Sequence, residues 1–209
     1  MSFTSLFRQF IAFVIVLCLS VTANVAPARA MGEQNLSGAE AIDYLIKNKQ
    51  CIYCDFSGAD LHGLSLAEAR LYFSKLIGTN LSGADLTGAR VDEADFSGAN
   101  LSNANFTNGT MYDANLSNAN LYGTNLYGVY GDGANLSGAN LQSATIKQAH
   151  FDDANFTNAD FGWTCTHLNT YYTSANFTGA KRLDVPCLKR FANFENTILP
   201  DGSVYSDPF

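Results

Sequence analysis

The chain has 209 residues, a formal net charge of −7 and a hydrophobic content of 47%. This length is sufficient for one domain with a substantial core. An acidic surface repels nucleic acids and anionic lipids, so we expect neither as a partner.

The first thirty residues have the pattern of a secretory signal peptide. Arg8 precedes an apolar run from Phe10 to Val21, and Ala28-Arg29-Ala30 then has the small-x-small pattern that signal peptidase cleaves. The run is shorter than the about twenty apolar residues that a spanning helix needs. We therefore predict export, removal of residues 1–30, and no stable membrane insertion after processing. The formal charge would then change from −7 to −9, because both arginines leave with the signal peptide.

A helix is expected next, within an N-terminal cap of residues 31–50. Ser37-Gly38-Ala39-Glu40 has the spacing of a capping box. Apolar residues follow at helical spacing, namely Ala41, Ile42, Leu45 and Ile46. We predict an amphipathic helix from about 38 to 48. The alternative is that residues 35–39 are a first copy of the repeat described below, although Tyr44 and Lys49 do not suit the small inward positions of that register.

A five-residue repeat occupies most of the remaining chain. We call every fifth position from Phe56 to Phe161 a centre. Large apolar residues occupy these 22 centres, with Gly131 as the single exception. The residue two places before the centre is Ala in 15 of the 22 copies. Gly or Asn often follows the centre by two residues, and such residues tolerate the backbone angles of corners.

The period of five determines the fold class. On an α-helix five residues advance by about 500°, so the apolar positions would never form one face. On one flat strand an odd period places alternate centres on opposite faces. The small residue and the centre of one copy are two apart and do share a face, so the chain must turn a corner after each short strand. Repeated corners predict an all-β solenoid.

These residues resemble the pentapeptide-repeat family, whose pattern is A-(D/N)-L-x-x. The resemblance extends from about residue 54 to residue 180. It implies a right-handed quadrilateral β-helix with four repeats per coil, and hence roughly six coils, closed by short α-helical caps at both ends. We assign residues 51–182 to the β-helix and residues 183–209 to a C-terminal capping helix and tail.

Two interruptions of the repeat are predicted. With four repeats per coil, Gly131 stacks between Met111 and Phe151 and leaves a hole, into which both neighbours would lean. We predict a local distortion or bulge at this position. The register after residue 161 resumes one residue out of step, so we place an insertion or loop between residues 162 and 173.

Four cysteines follow residue 30, and an even number in an exported protein suggests disulfides, with three alternative pairings. We predict a Cys165–Cys187 disulfide, because Cys165 lies in the irregular last coil and Cys187 in the C-terminal cap. Cys51 and Cys54 fall at inward positions of the repeat register. They are either two buried, small, apolar side chains or a second, local disulfide.

The C-terminal cap is expected to contain a short helix. Asp184 suits the N-cap, and Pro186 suits the first turn. Residues 192–194 resemble one more repeat strand. We expect the tail from residue 199 to residue 209 to be loose.

Four tyrosines fall at outward positions on neighbouring faces of adjacent coils. Exposed tyrosine is enriched at protein interfaces, so we hypothesise that they form a partner-binding patch. They are Tyr112, Tyr122, Tyr127 and Tyr130.

The three histidines, His62, His150 and His167, lack the spacing of metal ligands. We predict no catalytic, cofactor or metal site.

The resemblance is to pentapeptide-repeat proteins of the cyanobacterial periplasm and of thylakoid and chloroplast lumen. It implies an exported, non-catalytic structural or protein-interaction solenoid, which we expect to be a monomer with an unidentified protein partner. One alternative is a DNA mimic, since some family members protect DNA gyrase with an acidic rod. The negative charge fits this alternative, but a signal peptide does not. A second alternative is a thiol-disulfide protein that uses Cys51 and Cys54, which requires an exposed thiol of low pKa.

Overall fold

The computed structural model describes residues 35–205, except residues 164, 166 and 194, and the predicted signal peptide lies outside the described residues. The helices of this part are α1 (Gly38–Asn48) and α2 (Val185–Phe191). The strands have two residues each: β1 (Thr170–Tyr171), β2 (Ala192–Asn193), β3 (Thr197–Ile198) and β4 (Val204–Tyr205). Across the described residues, no helix has the length and hydropathy to cross a membrane.

Between the helices, each repeat contributes one isolated parallel bridge rather than an extended strand. The bridges join residues twenty apart, as in Asp60–Asn80 and Asn80–Asn100. Because a repeat has five residues, each coil carries four bridges. Six successive bridges lead from Asp60 to Lys181, which agrees with roughly six coils over the predicted repeat region. The column through Asp55 is longer and has eight bridges, from Ser37 to Ile198.

β-turns form most corners of the coil. Ala59 N–H donates to the Phe56 carbonyl at 2.9 Å, and Gly58 between them has a φ of 69°. A positive φ at the third residue of a turn is typical of type II. Phe73 and Glu93 occupy the same turn position with a φ of 57° each. The stacked coil therefore imposes the corner conformation even on side chains that do not favour it.

The interior contains the centres and the small residues before them. In the regular coils three small positions carry a hydroxyl in place of Ala, and each hydroxyl donates to a backbone carbonyl of the preceding coil. Ser74 donates to Cys51 at 2.6 Å, and Thr79 donates to Phe56 at 2.8 Å. Thr124 makes the equivalent bond at 2.7 Å. These bonds avoid the cost of an unpaired buried hydroxyl, which is about 1–3 kcal/mol.

Gly131 does not interrupt the coil. Its N–H donates to the His150 carbonyl at 2.7 Å, and Ala134 N–H donates to the Gly131 carbonyl at 3.0 Å, as in the neighbouring copies. A Cβ added to Gly131 would lie 2.5 Å from Phe151 Cε1 and 3.1 Å from Met111 Cγ. Met111 and Phe151 thus fill the space as expected. The predicted bulge is wrong, because the large ring replaces the missing side chain without moving the backbone.

At the N-terminal end, the expected helix is α1. Ala41 and Leu45 are buried in the same core as the repeats, whereas Ile46 is 49% exposed. Ser37 is the N-cap but its side chain makes no capping hydrogen bond, so the predicted capping box is wrong. The backbone of Ser37 instead forms a parallel bridge with Asp55. We call each bridged segment of a coil a rung. The chain therefore forms one rung of the solenoid immediately before α1 begins.

At the C-terminal end, the spacing of the bridges changes. It is twenty residues at Asn140–Asp160 and 21 at His150–Tyr171, which confirms an insertion between residues 162 and 173. After α2, β2 pairs in parallel with β1, as expected for a repeat-like strand. The Asn176–Ile198 bridge follows, with a spacing of 22. The solenoid thus continues past residue 182, where we predicted its end, and α2 is inserted into its last coil.

The expected loose tail is wrong as far as Tyr205. Strands β3 and β4 form an antiparallel hairpin, in which Thr197 pairs with Tyr205. The hairpin also contacts α2, since Lys189 Nζ lies 5.0 Å from the centre of the Tyr205 ring. The Asp201-Gly202 pair at its tip is a sequence signal for a tight turn. Residues 206–209 lie outside the described residues.

Candidate interaction surface

The bridging residues form four columns on the outside of the coils. In the columns that contain Asp55, Asp60 and Ser65, the side chains are mainly short and polar. Asn80 donates to Asp60 Oδ1 at 2.9 Å, and Asn100 donates in turn to Asn80 Oδ1 at 3.2 Å. We call these three columns the amide ladders. Because their side chains bond to one another from coil to coil, much of their hydrogen-bonding capacity is already used within the chain.

The fourth column differs, because its later coils carry Tyr130, His150 and Tyr171. We call these three side chains, together with Tyr112 of the adjacent turn, the aromatic column. The Tyr130 and His150 rings are stacked with centroids 4.8 Å apart. The His150 and Tyr171 rings are stacked at 4.5 Å. Tyr112 is tilted against Tyr130 at 6.4 Å. The stack follows from the backbone, because parallel rungs lie about 4.8 Å apart.

The aromatic column is exposed, unlike the large side chains of the core. The exposed fraction is 37% for Tyr112, 42% for Tyr130 and 40% for Tyr171. Isolated apolar residues are normal at a protein surface, but a contiguous row of aromatic side chains is typical of an interaction site. The column is therefore the best candidate for a binding surface in the described part of the chain.

Carboxylates line the turn next to the aromatic column, and we call them the acidic row. The row consists of Asp92, Glu93, Asp113, Asp132, Asp152 and Asp153. Three of them are anchored to the backbone of the next coil. Asp92 accepts from Tyr112 N–H at 3.0 Å, and Asp132 accepts from Asp152 N–H at 3.0 Å. Asp152 accepts from Thr173 N–H at 2.6 Å. These bonds hold the negative charges in fixed positions.

Negative charge is crowded at this edge. Burial raises the pKa of the Asp132 carboxyl, and the charge of Asp152 acts in the same direction, whereas the Asp152 N–H and His150 oppose the shift. Burial also raises the pKa of the Tyr112 hydroxyl, and the charges of Asp132 and Asp92 add to the effect. Both shifts disfavour the anionic form, so a cation placed against the row would be stabilised.

The predicted tyrosine patch is divided in the structure. Tyr112 and Tyr130 belong to the aromatic column, but Tyr122 and Tyr127 lie on the turns of two other sides. No ring contact joins Tyr122 or Tyr127 to the column among the residues described, and Tyr127 Oη donates to Gln148 Oε1 at 2.5 Å. Sequence reasoning missed His150 and Tyr171 as members. The twenty-residue period places His150 over Tyr130, while the one-residue insertion obscures Tyr171.

The four cysteines form two disulfides, Cys51–Cys54 and Cys165–Cys187, with Cα atoms 5.6 and 5.8 Å apart. Cys51 and Cys54 are both fully buried. Thiol–disulfide exchange needs an accessible sulfur, so this pair suits a structural cross-link. The second disulfide joins the insertion to α2, whose first turn is capped by Asp184 Oδ1, which accepts from Cys187 N–H at 3.0 Å.

A buried His–Tyr pair lies near this cross-link and was not expected from the sequence. His167 Nδ1 and the Tyr172 hydroxyl share a hydrogen bond of 2.8 Å, and both side chains are buried. His167 Nε2 has no hydrogen-bond partner within residues 35–205 as described. Burial lowers the pKa of His167 to about 4, although Asp184 opposes this shift. The imidazole is therefore neutral at neutral pH and acts as part of the core.

The remaining histidine is at an outward corner. His62 Nδ1 lies 2.9 Å from Asp60 Oδ1, and both side chains are well exposed. The described residues contain no group of three or more His, Cys, Asp or Glu side chains that would hold a metal ion.

The sequence pattern of one known family matches the repeat region. Pentapeptide repeats are recognised in eight copies, over residues 54–91, 92–130 and 134–165, which together exceed half of the chain. The chain belongs to the pentapeptide-repeat family. Pentapeptide-repeat proteins form right-handed β-helices and are in general non-enzymatic structural repeat proteins. The four parallel bridges per coil agree with such an architecture.

Solved structures of pentapeptide-repeat proteins are similar to this chain. Rfr23 from the cyanobacterium Cyanothece 51142 is 23% identical, with a TM-score of 0.56 over 57% of this chain and 96% of Rfr23. HetL from the cyanobacterium Nostoc sp. strain PCC 7120, which is involved in heterocyst differentiation regulation, is 25% identical, with a TM-score of 0.48 over 75% of this chain and 76% of HetL. A protein from the Arabidopsis thaliana thylakoid lumen is 22% identical, with a TM-score of 0.27 over 76% of this chain and 86% of that protein. The likeness to Rfr23 supports the fold alone. None of the curated proteins matches the chain in sequence.

Proposed function

We propose that this pentapeptide-repeat protein is an exported, non-catalytic, right-handed quadrilateral solenoid that binds a protein partner through the aromatic column. The observation that supports this function is the contrast between the four columns. Three of them bond internally through their amides, whereas the fourth exposes stacked rings in the same backbone setting. The centres fill the interior, so the rings of this column are not needed for the core. They are available to contact a partner.

Export is supported by the pattern of residues 1–30 and by the two disulfides, since disulfides persist in oxidising compartments such as the bacterial periplasm. We propose the periplasm or the thylakoid lumen as the location. Fractionation of the source cells, with N-terminal sequencing of the recovered protein, tests this part. We expect a chain that begins near residue 31 in the exported fraction. A full-length chain confined to the cytoplasm would contradict the proposal.

The binding surface is tested by site-specific photo-crosslinking within the exported fraction. One variant carries a photo-crosslinking amino acid in place of Tyr130, and the matched control carries it in place of Tyr122, which is 46% exposed but lies on another side. We expect a discrete protein adduct from position 130 and none from position 122. Equal adducts from both positions, or none from either, would argue against the aromatic column.

The two alternative functions receive little support from the geometry. A duplex mimic needs negative charge along the whole rod, because DNA carries one charge per about 1.7 Å of its axis. Here many ladder positions are neutral amides, such as those of Asn100 and Asn120. A thiol-disulfide protein needs an accessible cysteine, whereas Cys51 and Cys54 are fully buried.

A further inference from the structure

We infer that the aromatic column and the acidic row together bind a segment of the partner protein that is rich in Lys or Arg. The inference rests on the proposed function and specifies the chemistry of the partner. The column supplies apolar ring edges and phenol hydroxyls, and the row supplies carboxylates at two adjacent turn positions of successive coils.

No carboxylate of the row forms an ion pair within the part of the chain that the structure describes. Among the described residues, the ion pairs are His62–Asp60 and Arg182–Asp160, and neither involves the acidic row. Arg90 is the basic residue beside Asp92: the Tyr72 hydroxyl and, to a smaller extent, the charges of Glu68 and Asp92 raise the pKa of its guanidinium. Burial raises the pKa of Asp132, and the charges of Asp152 and Asp153 act in the same direction, so negative charge is unfavourable at this point of the row. A partner that brings positive charge would relieve this repulsion.

The stacking of the column determines which contacts it offers. Because His150 lies between the faces of Tyr130 and Tyr171, ring edges and hydroxyl groups face the solvent rather than open ring faces. Sugars stack on open faces, so this arrangement does not suit a carbohydrate. Lys and Arg instead have long aliphatic stems, which pack along apolar edges while the charged heads reach the carboxylates.

The length of the surface suits a short extended segment. Asp92 and Asp152 are three coils apart in the same column, which corresponds to about 15 Å at the spacing of β-rungs. An extended chain covers that distance with about five residues. A second copy of this chain is an unfavourable occupant, because its net charge of −7 would be repelled, as an anionic membrane would be.

A labelled peptide tests the inference directly. The probe is a fluorescein-labelled peptide of nine residues that alternates Lys with Ala, and a peptide that alternates Glu with Ala is its control. Binding to the intact protein is measured by fluorescence anisotropy at low and at high salt. We expect the Lys peptide alone to bind, and we expect its affinity to fall as the salt concentration rises.

Two double variants with the same change in net charge separate a local site from general attraction. D132N with D152N removes two charges from the acidic row, and D55N with D95N removes two from an amide ladder. We expect about a tenfold loss of affinity for the first variant and less than about twofold for the second. Tyr130→Ala with Tyr171→Ala should also weaken binding by about fivefold, because the stems lose their apolar contact.

Three outcomes would overturn the inference. The first is an equal loss in both Asn double variants, which would indicate attraction by net charge alone. The second is self-association of the protein through the column, detected by light scattering with and without Tyr130→Ala. The third is a protein that cross-links its partner from position 130 yet does not bind the Lys peptide. In the third case the proposed function stands and only the basic chemistry of the partner is wrong. Circular dichroism of each variant verifies that the fold is retained.

Discussion

The regular coils between Phe56 and Phe161 and the C-terminal end from His167 to Tyr205 belong to one solenoid but are stabilised in different ways. In the regular coils most rungs repeat the same kind of bridge, the same turn and the same type of inward side chains. At the C-terminal end the rungs are 21 or 22 residues apart, and single contacts replace the repeated ones. These contacts are a disulfide, a buried His–Tyr pair and a capped helix.

The difference shows how a repeat protein distributes its stability. Each regular coil depends on its neighbours, so one altered rung is supported from both sides. The last coil has a neighbour on only one side and must also cover the exposed edge of the solenoid. We therefore expect mutations at the C-terminal end to cause a large loss of stability that is confined to that end. Mutations of a single regular rung should cause a smaller loss. The predictions below test this contrast.

The largest effect is expected from loss of the second disulfide. The variant Cys165→Ala with Cys187→Ala opens a loop with a sequence separation of 22 and should lower the free energy of unfolding by about 3 kcal/mol. Urea denaturation measures the loss. Hydrogen exchange should show faster exchange in α2 and in β2 to β4, while the regular coils keep their protection. Uniformly faster exchange would contradict the contrast between the two regions.

A comparable effect is expected from acid, through His167. Its pKa is lowered to about 4 in the folded protein, so the unfolded chain takes up a proton first as the pH falls. The stability should be complete above about pH 6.5 and should decrease by about 3 kcal/mol down to about pH 4. Thermal unfolding between pH 7 and pH 4 measures the slope. His167→Gln should flatten it, and an unchanged slope in this variant would contradict the prediction.

A smaller loss is expected from Gly131→Ala in the regular coils. The new methyl group would meet Phe151 Cε1 at 2.5 Å, so we expect overpacking and a loss of about 2 kcal/mol. Phe151→Leu in the same chain makes room, so the double variant should be more stable than the sum of the two single losses implies. Additive losses in denaturant unfolding would show that the ring does not fill the Gly131 site.

The smallest effect is expected from one rung of an amide ladder. Asn120→Ala removes the bonds of 3.1 Å to Asn100 and to Asn140 and should cost about 1 kcal/mol. Ser102→Ala, which lies at a turn on the same side, is the control and should cost less than about 0.5 kcal/mol. A loss of several kcal/mol for Asn120→Ala would mean that the ladder is cooperative and that a single rung is not buffered by its neighbours.

Much of the regular part could be predicted from the sequence. The inward positions of the centres, the corners and α1 follow from a period of five and from helical spacing. The coil number depends in addition on the four repeats per coil that the family resemblance implies. The backbone conformation at Gly131 could not be predicted from the sequence, because it depends on whether the Phe151 ring fills the space that the missing side chain leaves. The capping box at Ser37 failed because the backbone of that residue pairs with Asp55, which is a contact between different coils.

The candidate surface could be predicted only in part. Tyr112 and Tyr130 are outward in any register, but Tyr122 and Tyr127 are outward as well. Their separation depends on which side of the coil each turn occupies. His150 and Tyr171 join the surface because rungs from successive coils lie about 4.8 Å apart, which is the distance at which aromatic rings stack.

The amino-acid sequence by itself determined that this chain forms a solenoid, because only a turn after every short strand keeps the apolar position of a five-residue period on the inside. It also determined which side chains remain outside. The tertiary structure alone decided which of those side chains meet, because each outward contact joins residues about twenty positions apart and shifts with every inserted residue. The aromatic column, the acidic row and the buried pair of His167 and Tyr172 exist only once the coils are stacked.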